Sequence, residues 1–316
     1  MIFSYDKKTL KNIFRPIYRY IVYLLSKKHF KSIEGKRNLI KVYNSWETID
    51  YINHHKCSIS RFGDGELDLV LALKYGTKFH SNFQDFNFLL ARRLTDILNY
   101  SSPIENHVVG LPACAFSFGT LKFKRNIAEY WNRYTFNLID KLLEVVNNQY
   151  EYIDTNFTRF YMDYKSHDDT AEYVVKLKTI WQDRNVIFVE GEKTRLGMGN
   201  DLFSTAKSIR RILCPSKNAF DRYDEIIAVV RKHANKGDLI IAALGMTATV
   251  LAYDLAKEGI QTLDMGHVDI EYEWYRIKAK NKVAIQGKFT NESSTQRKVD
   301  GARDSEYLSQ IIDNVY

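Results

Sequence analysis

Cysteine is scarce in this 316-residue chain, and Cys57, Cys114 and Cys214 are scattered, with no CxxC pair and no histidine cluster. That argues against a disulfide framework and a cysteine–histidine zinc site. Two of the three sit in apolar, strand-like runs and read as buried thiols. The apolar run Tyr20 to Leu25 is far too short to cross a bilayer. No small-residue cleavage site marks a secretory leader, so a reducing cytoplasm is the expected compartment. Repeats, linkers and low-complexity tracts are missing too, and the 4 prolines and 15 glycines are not clustered. The composition that remains, 45% hydrophobic and 27% charged, suits a globular protein able to bury a full core.

The net charge of +8 is unevenly placed. Residues 1–37 carry ten Lys and Arg against Asp6 and Glu34, and the other 36 basic and 36 acidic residues cancel. The body is therefore neutral, and nucleic acid is not an expected partner. Within the arm, Ile13, Phe14, Ile17, Tyr18, Ile21, Val22, Leu24 and Leu25 recur at helical spacing among Lys11, Arg15 and Arg19. This predicts a basic amphipathic helix. It would lie on an anionic membrane surface, the inner face of the cell membrane, or pack on the body or on a second copy of the chain. The division expected is a 1–37 arm followed by a 38–316 domain.

Along the body, strands are predicted at Cys57–Phe62, His107–Leu111, Asn185–Val189, Ile209–Leu213, Asp238–Leu244 and Thr262–Leu263. Helices are predicted from Asn44 to His54 (Ser45 as N-cap), Leu67–Leu73, Phe86–Tyr100, Ile127–Asn148, Asp169–Trp181, Asn200–Ser208, Tyr223–Asn235 and Thr247–Lys257. The aromatic stretch Phe157–Tyr164 is ambiguous. Alternation of this kind implies an α/β, Rossmann-like fold, a mostly parallel sheet flanked by helices. Each strand ends in a cluster of Gly, Arg, Asp, Asn or His, and ligands of such sheets bind outside the carboxyl ends of the strands. The clusters are expected to meet in one cleft.

The most informative cluster is Arg61-Phe62-Gly63-Asp64-Gly65-Glu66. Two carboxylates on a glycine-flanked turn suit a hard divalent cation that keeps positions open for phosphate, and Gly63 and Gly65 let a ligand approach the main chain. The plainer reading is a helix start near Leu67 capped by Asp64. Lys193 and Arg195 flank Thr194 in a glycine-bordered loop that would suit phosphate oxygens, or would simply be solvated. Gly245 and Thr247 open a helix whose free N–H groups attract anions.

The Arg61–Glu66 segment resembles the Asp-X-Glu motif region of a bacterial glycosyltransferase family with the fold called GT-D, first described as a domain of unknown function. Val189–Gly197, Gly199–Phe203, Ile212–Pro215 with Asn218–Phe220, and Leu263–Asp269 resemble it as well, in order, over roughly residues 40–285. Where the family has Pro, this chain has Met246. The resemblance implies metal-dependent transfer of a hexose from a nucleotide-sugar, a UDP-sugar foremost, to a glycan, glycoprotein or lipid-linked saccharide in surface-glycan assembly. It implies Mn²⁺ or Mg²⁺ held by Asp64 and Glu66, with His267 a third ligand or a phosphate donor. Arg61, Gly65, Lys193, Thr194, Arg195, Gly245 and Thr247 would line the donor phosphates, and Asn218 and Phe220 the base or ribose; the plainer alternatives are Arg61 paired with an acid of the turn, Thr247 capping its helix and Phe220 in the core. Glu190, Glu192, Asp201 and Asp269 are the candidate bases, with Asp269 preferred for its place beside His267.

Two other classes fit parts of the chain. Leu239–Asp264 also reads as a βαβ unit for S-adenosylmethionine or NAD, with Asp264 on the ribose, although two glycines of GxGxxG are missing. A non-catalytic polysaccharide-assembly partner tethered by the arm is the third reading, and the dense polar clusters count against it.

Overall fold

The computed structural model describes residues 7–99, 104–289 and 305–316; the first six residues of the arm and Tyr100 lie outside the described residues. The chain begins with α1 (Lys7–Ser32) and α2 (Glu34–Arg37). The first half of the sheet and its helices follow: β1 (Lys41–Val42), α3 (Ser45–His55), β2 (Ser58–Arg61), α4 (Asp64–Tyr75), α5 (Phe88–Leu98), β3 (His107–Leu111), α6 (Arg125–Leu143), β4 (Glu151–Asp154) and α7 (Thr170–Lys178). The second half comprises β5 (Asn185–Gly191), β6 (Ser208–Cys214), α8 (Tyr223–His233), β7 (Leu239–Ala243), α9 (Met246–Lys257), β8 (Thr262–Asp264), α10 (Val268–Arg276), α11 (Ser305–Gln310) and β9 (Ile311–Asn314).

The nine strands form one sheet in the order β1-β4-β3-β2-β8-β7-β5-β6-β9, and each strand pair is parallel. Strands buried on both faces read as continuous apolar runs because successive side chains point to opposite sides. Val186 and Phe188 of β5, with Leu239 and Ile241 of β7, face α3, α7 and α10. Ile187, Val189, Ile240 and Ala242 face the layer of α4, α5, α8 and α9. Removing a side chain such as Phe188, which is fully buried, would forfeit about 3–5 kcal/mol. All three cysteines are free and buried, and burial pushes the Cys57 thiol up to about 12.

Several local expectations are corrected. Strands β1, β4 and β9 were not foreseen; β1 and β9 are the short outer strands of the sheet. Asn44, not Ser45, caps α3: its side chain accepts from the amides of Trp46 and Glu47, and Glu47 accepts from the amide of Asn44. The Ser45 hydroxyl instead donates to Asp154 at 2.6 Å. The stretch expected to be helical from Asn200 is a run of turns. Gly197 and Gly199 precede it with positive φ. The Asn200 side-chain Oδ1 accepts from the Leu202 amide, a local bond that competes with helix.

From Lys7 to Ser32 the arm forms one long helix, and its C-terminal part packs on the body. Asn132 of α6 donates to Ser26 at 3.3 Å, His29 stacks on Phe136 at 4.6 Å, and Phe30 and Ile33 join the core. Its outer side still exposes Ile17, Tyr18, Ile21, Leu24 and Leu25. Among the described residues, no helix is long and apolar enough to cross a membrane.

Candidate active site

In the sheet order, β2 lies between β3 and β8, so the chain leaves β2 toward one edge and returns from the other. Such a switch point leaves a crevice at the strands' carboxyl ends. A cleft of about 580 Å³ occupies that position, lined among others by Arg61, Asp64, Glu66, Thr194, Gly245 and His267. Three helices, α4, α9 and α10, begin at its wall, each following one of the adjacent strands β2, β7 and β8. Their N-terminal N–H groups and dipoles make this end of the sheet attractive to anions.

At the first of these starts, α4 begins at Asp64 itself, with Gly63 as N-cap, rather than near Leu67. Asp64 and Glu66 therefore sit in a first helical turn, where positions two apart do not face each other. Asp64 is exposed, and its Oδ2 accepts from the Tyr130 hydroxyl at 2.5 Å. Glu66 turns back, and its Oε2 accepts from the Gly63 amide at 2.9 Å. Burial, reinforced by Asp264, pushes the Glu66 carboxyl up to about 7. Gly65 is where the starts of α4 and α9 approach: a Cβ there would meet Met246 Cε at 3.0 Å.

Arg61 is held as a clamp across three elements. It donates to Thr158 Oγ1 at 2.8 Å, to the Thr155 carbonyl at 3.2 Å and to Asp264 Oδ1 at 3.0 Å. Gly266, with φ +47°, permits this, since a Cβ there would fall 2.0 Å from Arg61 Nη2. Asp264 is itself buried between Arg61 and the Thr249 hydroxyl. Its carboxylate is thus engaged inside the protein, which counts against a role on a cofactor ribose.

Beyond Gly266, His267 caps α10 and its Nδ1 lies 3.3 Å from Arg159 Nη2. Gly245 takes φ +54° at the start of α9. The Thr247 hydroxyl just inside that helix, and that of Ser216 on the cleft wall, are buried with no hydrogen-bond partner among the described residues. Orphaned buried hydroxyls beside a cleft are sites at which a ligand can supply the missing bond.

Six of the expected residues are not on the cleft wall. Lys193 pairs with Glu192 at 3.4 Å. Arg195 donates to the Gly287 carbonyl and lies over the Tyr307 ring. Asn218 pins the loop before α5, exchanging two bonds with Asp85 (2.7 and 2.8 Å) and donating its amide to Phe83. Phe220, named with it, is buried in the core. Thr247 sits just behind the wall formed by Gly245 and Met246. Asp269 is buried in a cluster with Lys288 (2.6 Å), Asn200 (2.7 Å) and the Gly197 amide (3.0 Å), which engages its carboxylate away from the cleft wall.

The other candidate bases are also engaged elsewhere. Glu190 is buried on Arg211 and the Leu196 amide, and Asp201 pairs with Lys178 and Tyr272. The cleft carries instead Arg159 and Asp163, which were not singled out from the sequence. Both fall in the ambiguous stretch after β4. Had that strand been identified, the carboxyl-end rule would have pointed to them.

A wide parallel sheet with a carboxylate-bearing cleft at its switch point, met by three helix N-termini, is the architecture of a ligand-binding α/β protein. The comparisons narrow the class: residues 59–293 match the glycosyltransferase GT-D fold model, and the chain belongs to that family. It is 37% identical over 281 residues to the glycosyltransferase GlyD of Streptococcus pneumoniae, covering 89% of this chain and 33% of that protein. It is 34% identical over 282 residues to a protein of Streptococcus gordonii named probable glycosyl transferase Gly, covering 89% of this chain and 40% of that one. The chain thus spans well under half the length of these relatives. Among solved structures it resembles domain of unknown function 1792, described as having a distinct glycosyltransferase fold, with a TM-score of 0.82, 37% identity, and 91% of this chain and all of that one covered. A glycosyltransferase of the same domain from Streptococcus sanguinis gives 0.80 at 36% identity, covering 88% of this chain and all of that one.

Proposed function

We propose that this chain transfers a hexose from a nucleotide-sugar, a UDP-sugar foremost, to a saccharide acceptor of bacterial surface-glycan assembly, on the cytoplasmic side of the membrane. The observation that carries the reading is the convergence of three helix starts, Arg159 and the Ser216 and Thr247 hydroxyls around one cleft. A nucleoside diphosphate is the kind of ligand that such donors match. The volume also suits a small-molecule donor.

A divalent ion fits this site only together with the donor. Among the described residues no group of three or more His, Cys, Asp or Glu side chains is arranged to hold one. Mn²⁺ or Mg²⁺ can be bound through one or two carboxylates plus substrate phosphates, and Asp64, with Glu66 beside it, would hold it so. Bound there, the ion would neutralise charge on the leaving diphosphate. Asp163, on the cleft wall and mostly buried, replaces Asp269 as the carboxylate to examine for the acceptor proton. The test is a donor-hydrolysis screen over UDP-, GDP- and dTDP-sugars with and without manganese. Manganese-dependent release of one nucleotide is expected. Hydrolysis of none, or full activity in chelator, would overturn the reading.

A further inference from the structure

A second and larger space, about 1350 Å³, lies between α1 and α6. It adjoins the cleft twice: Tyr130 lines both, and Asn281 on the groove neighbours Lys282 on the cleft. Among the described residues, its walls carry Arg19, Arg125 and Arg133 and the acid Glu129. Arg133 is 63% exposed and touches Glu129 only at 3.6 Å. The Arg125 guanidinium lies over the Tyr20 ring at 5.0 Å, which holds its planar fork in place. Between the arginines stand Tyr130 and Tyr134, stacked at 5.9 Å, with Asn126 and Asn137. The two hydroxyls donate to Asp64 and Asp68, so these tyrosines offer apolar ring faces, while the asparagine amides both donate and accept. Those are the two requirements of a sugar, with C–H faces and hydroxyl edges. The arginines add a preference for oxyanions such as phosphate, whose oxygen pairs they grip bidentately.

We propose that this groove is the acceptor site and that it takes a phosphorylated saccharide, delivering its sugar past Tyr130 to the cleft. The proposal rests on the transferase reading, but its test does not depend on turnover. Three probes are titrated calorimetrically into the full chain. They are an alkyl diphosphate bearing N-acetylglucosamine, N-acetylglucosamine 6-phosphate, and the uncharged alkyl glycoside of the same sugar.

One of the two phosphorylated probes should bind about tenfold or more tightly than the uncharged glycoside. A preference for the first places the anion on a lipid carrier, and for the second on the glycan itself. Arg19→Gln/Arg125→Gln/Arg133→Gln should remove the preference while leaving uncharged-glycoside binding unchanged. Because Arg125 braces α1, Arg133→Gln alone is measured alongside, with thermal melting as the check on folding; it should lose part of the same preference. Equal binding of all three probes, or a preference that survives in both variants, would overturn the assignment. A chain that hydrolyses no nucleotide-sugar would sink the transferase reading and leave these titrations interpretable.

Discussion

The Tyr130 hydroxyl donates to Asp64 Oδ2 at 2.5 Å, tying a residue of α6 to the first residue of α4 at the point where cleft and groove meet. This bond fixes one carboxylate oxygen of the residue expected to face the ion. It also keeps Tyr130 protonated, since burial and the adjacent Asp64 both raise its pKa.

If Asp64 holds a divalent ion as proposed, Asp64→Asn should reduce transfer by about a hundredfold or more, because a neutral amide oxygen is a far weaker ligand than a carboxylate for a hard cation. Melting should barely change, since Asp64 is exposed. Tyr130→Phe should cost about 10–100-fold in metal affinity or activity, the range for outer partners of metal ligands. Manganese titration of activity separates the two variants. An Asp64→Asn enzyme with wild-type manganese response would refute the assignment.

Arg61 should behave as a structural residue. Its side chain is 13% exposed and that of Asp264 5%, and removing one partner of such a pair costs about 3–5 kcal/mol. Denaturant unfolding of Arg61→Ala should show that loss, and Gly266→Ala should also destabilise the fold because its Cβ collides with the same guanidinium. A stable Arg61→Ala protein that had lost only nucleotide affinity would instead place Arg61 on the donor.

Glu271 predicts a pH dependence of stability. Its Oε2 accepts from the Tyr161 and Met162 amides, Oε1 is buried without a partner among the described residues, and burial pushes its pKa from 4.5 up to about 7. Between these values the folded chain holds a proton that the unfolded chain has released. The stability contributed is therefore full below about 4.5 and is lost as pH rises through about 7, on the order of 3 kcal/mol. Glu271→Gln should flatten that part of the profile between pH 5 and 8. An unchanged slope would show that Glu271 titrates normally.

The exposed stripe on α1 is the surface by which we expect the chain to meet an anionic membrane. Removing residues 1–37 outright is a poor test, because Phe30, Ile33 and Arg37 are buried against the body. Ile17→Gln/Ile21→Gln/Leu24→Gln changes only exposed positions. It should weaken binding to phosphatidylserine vesicles while leaving melting unchanged. Binding of the unaltered chain should fall as salt rises, since the attraction is worth about 1 kcal/mol per basic residue near the surface and is screened. Indifference to vesicles at low salt would point to a second copy of the chain as the partner.

Strand–helix alternation was readable in the linear chain because it is local. Val186 to Val189 and Leu239 to Ala242 are apolar on every residue, as only strands buried on both faces need be. The carboxyl-end rule then brought Arg61, Asp64, Glu66, Thr194, Gly245 and His267 to one cleft with no further information. What a side chain does once it arrives depends on partners far away in sequence, and the fold alone decided that. Arg61 is satisfied by Asp264, 203 positions away. Asp269 is bound to Asn200 and Lys288, and Asn218 is held by Asp85 across 133 positions. A charged or amide group takes whichever partner is within reach of its donors and acceptors, and chain connectivity does not encode that reach. For the same reason Arg159 and Asp163 became visible only when the short strand β4 set them beside the cleft.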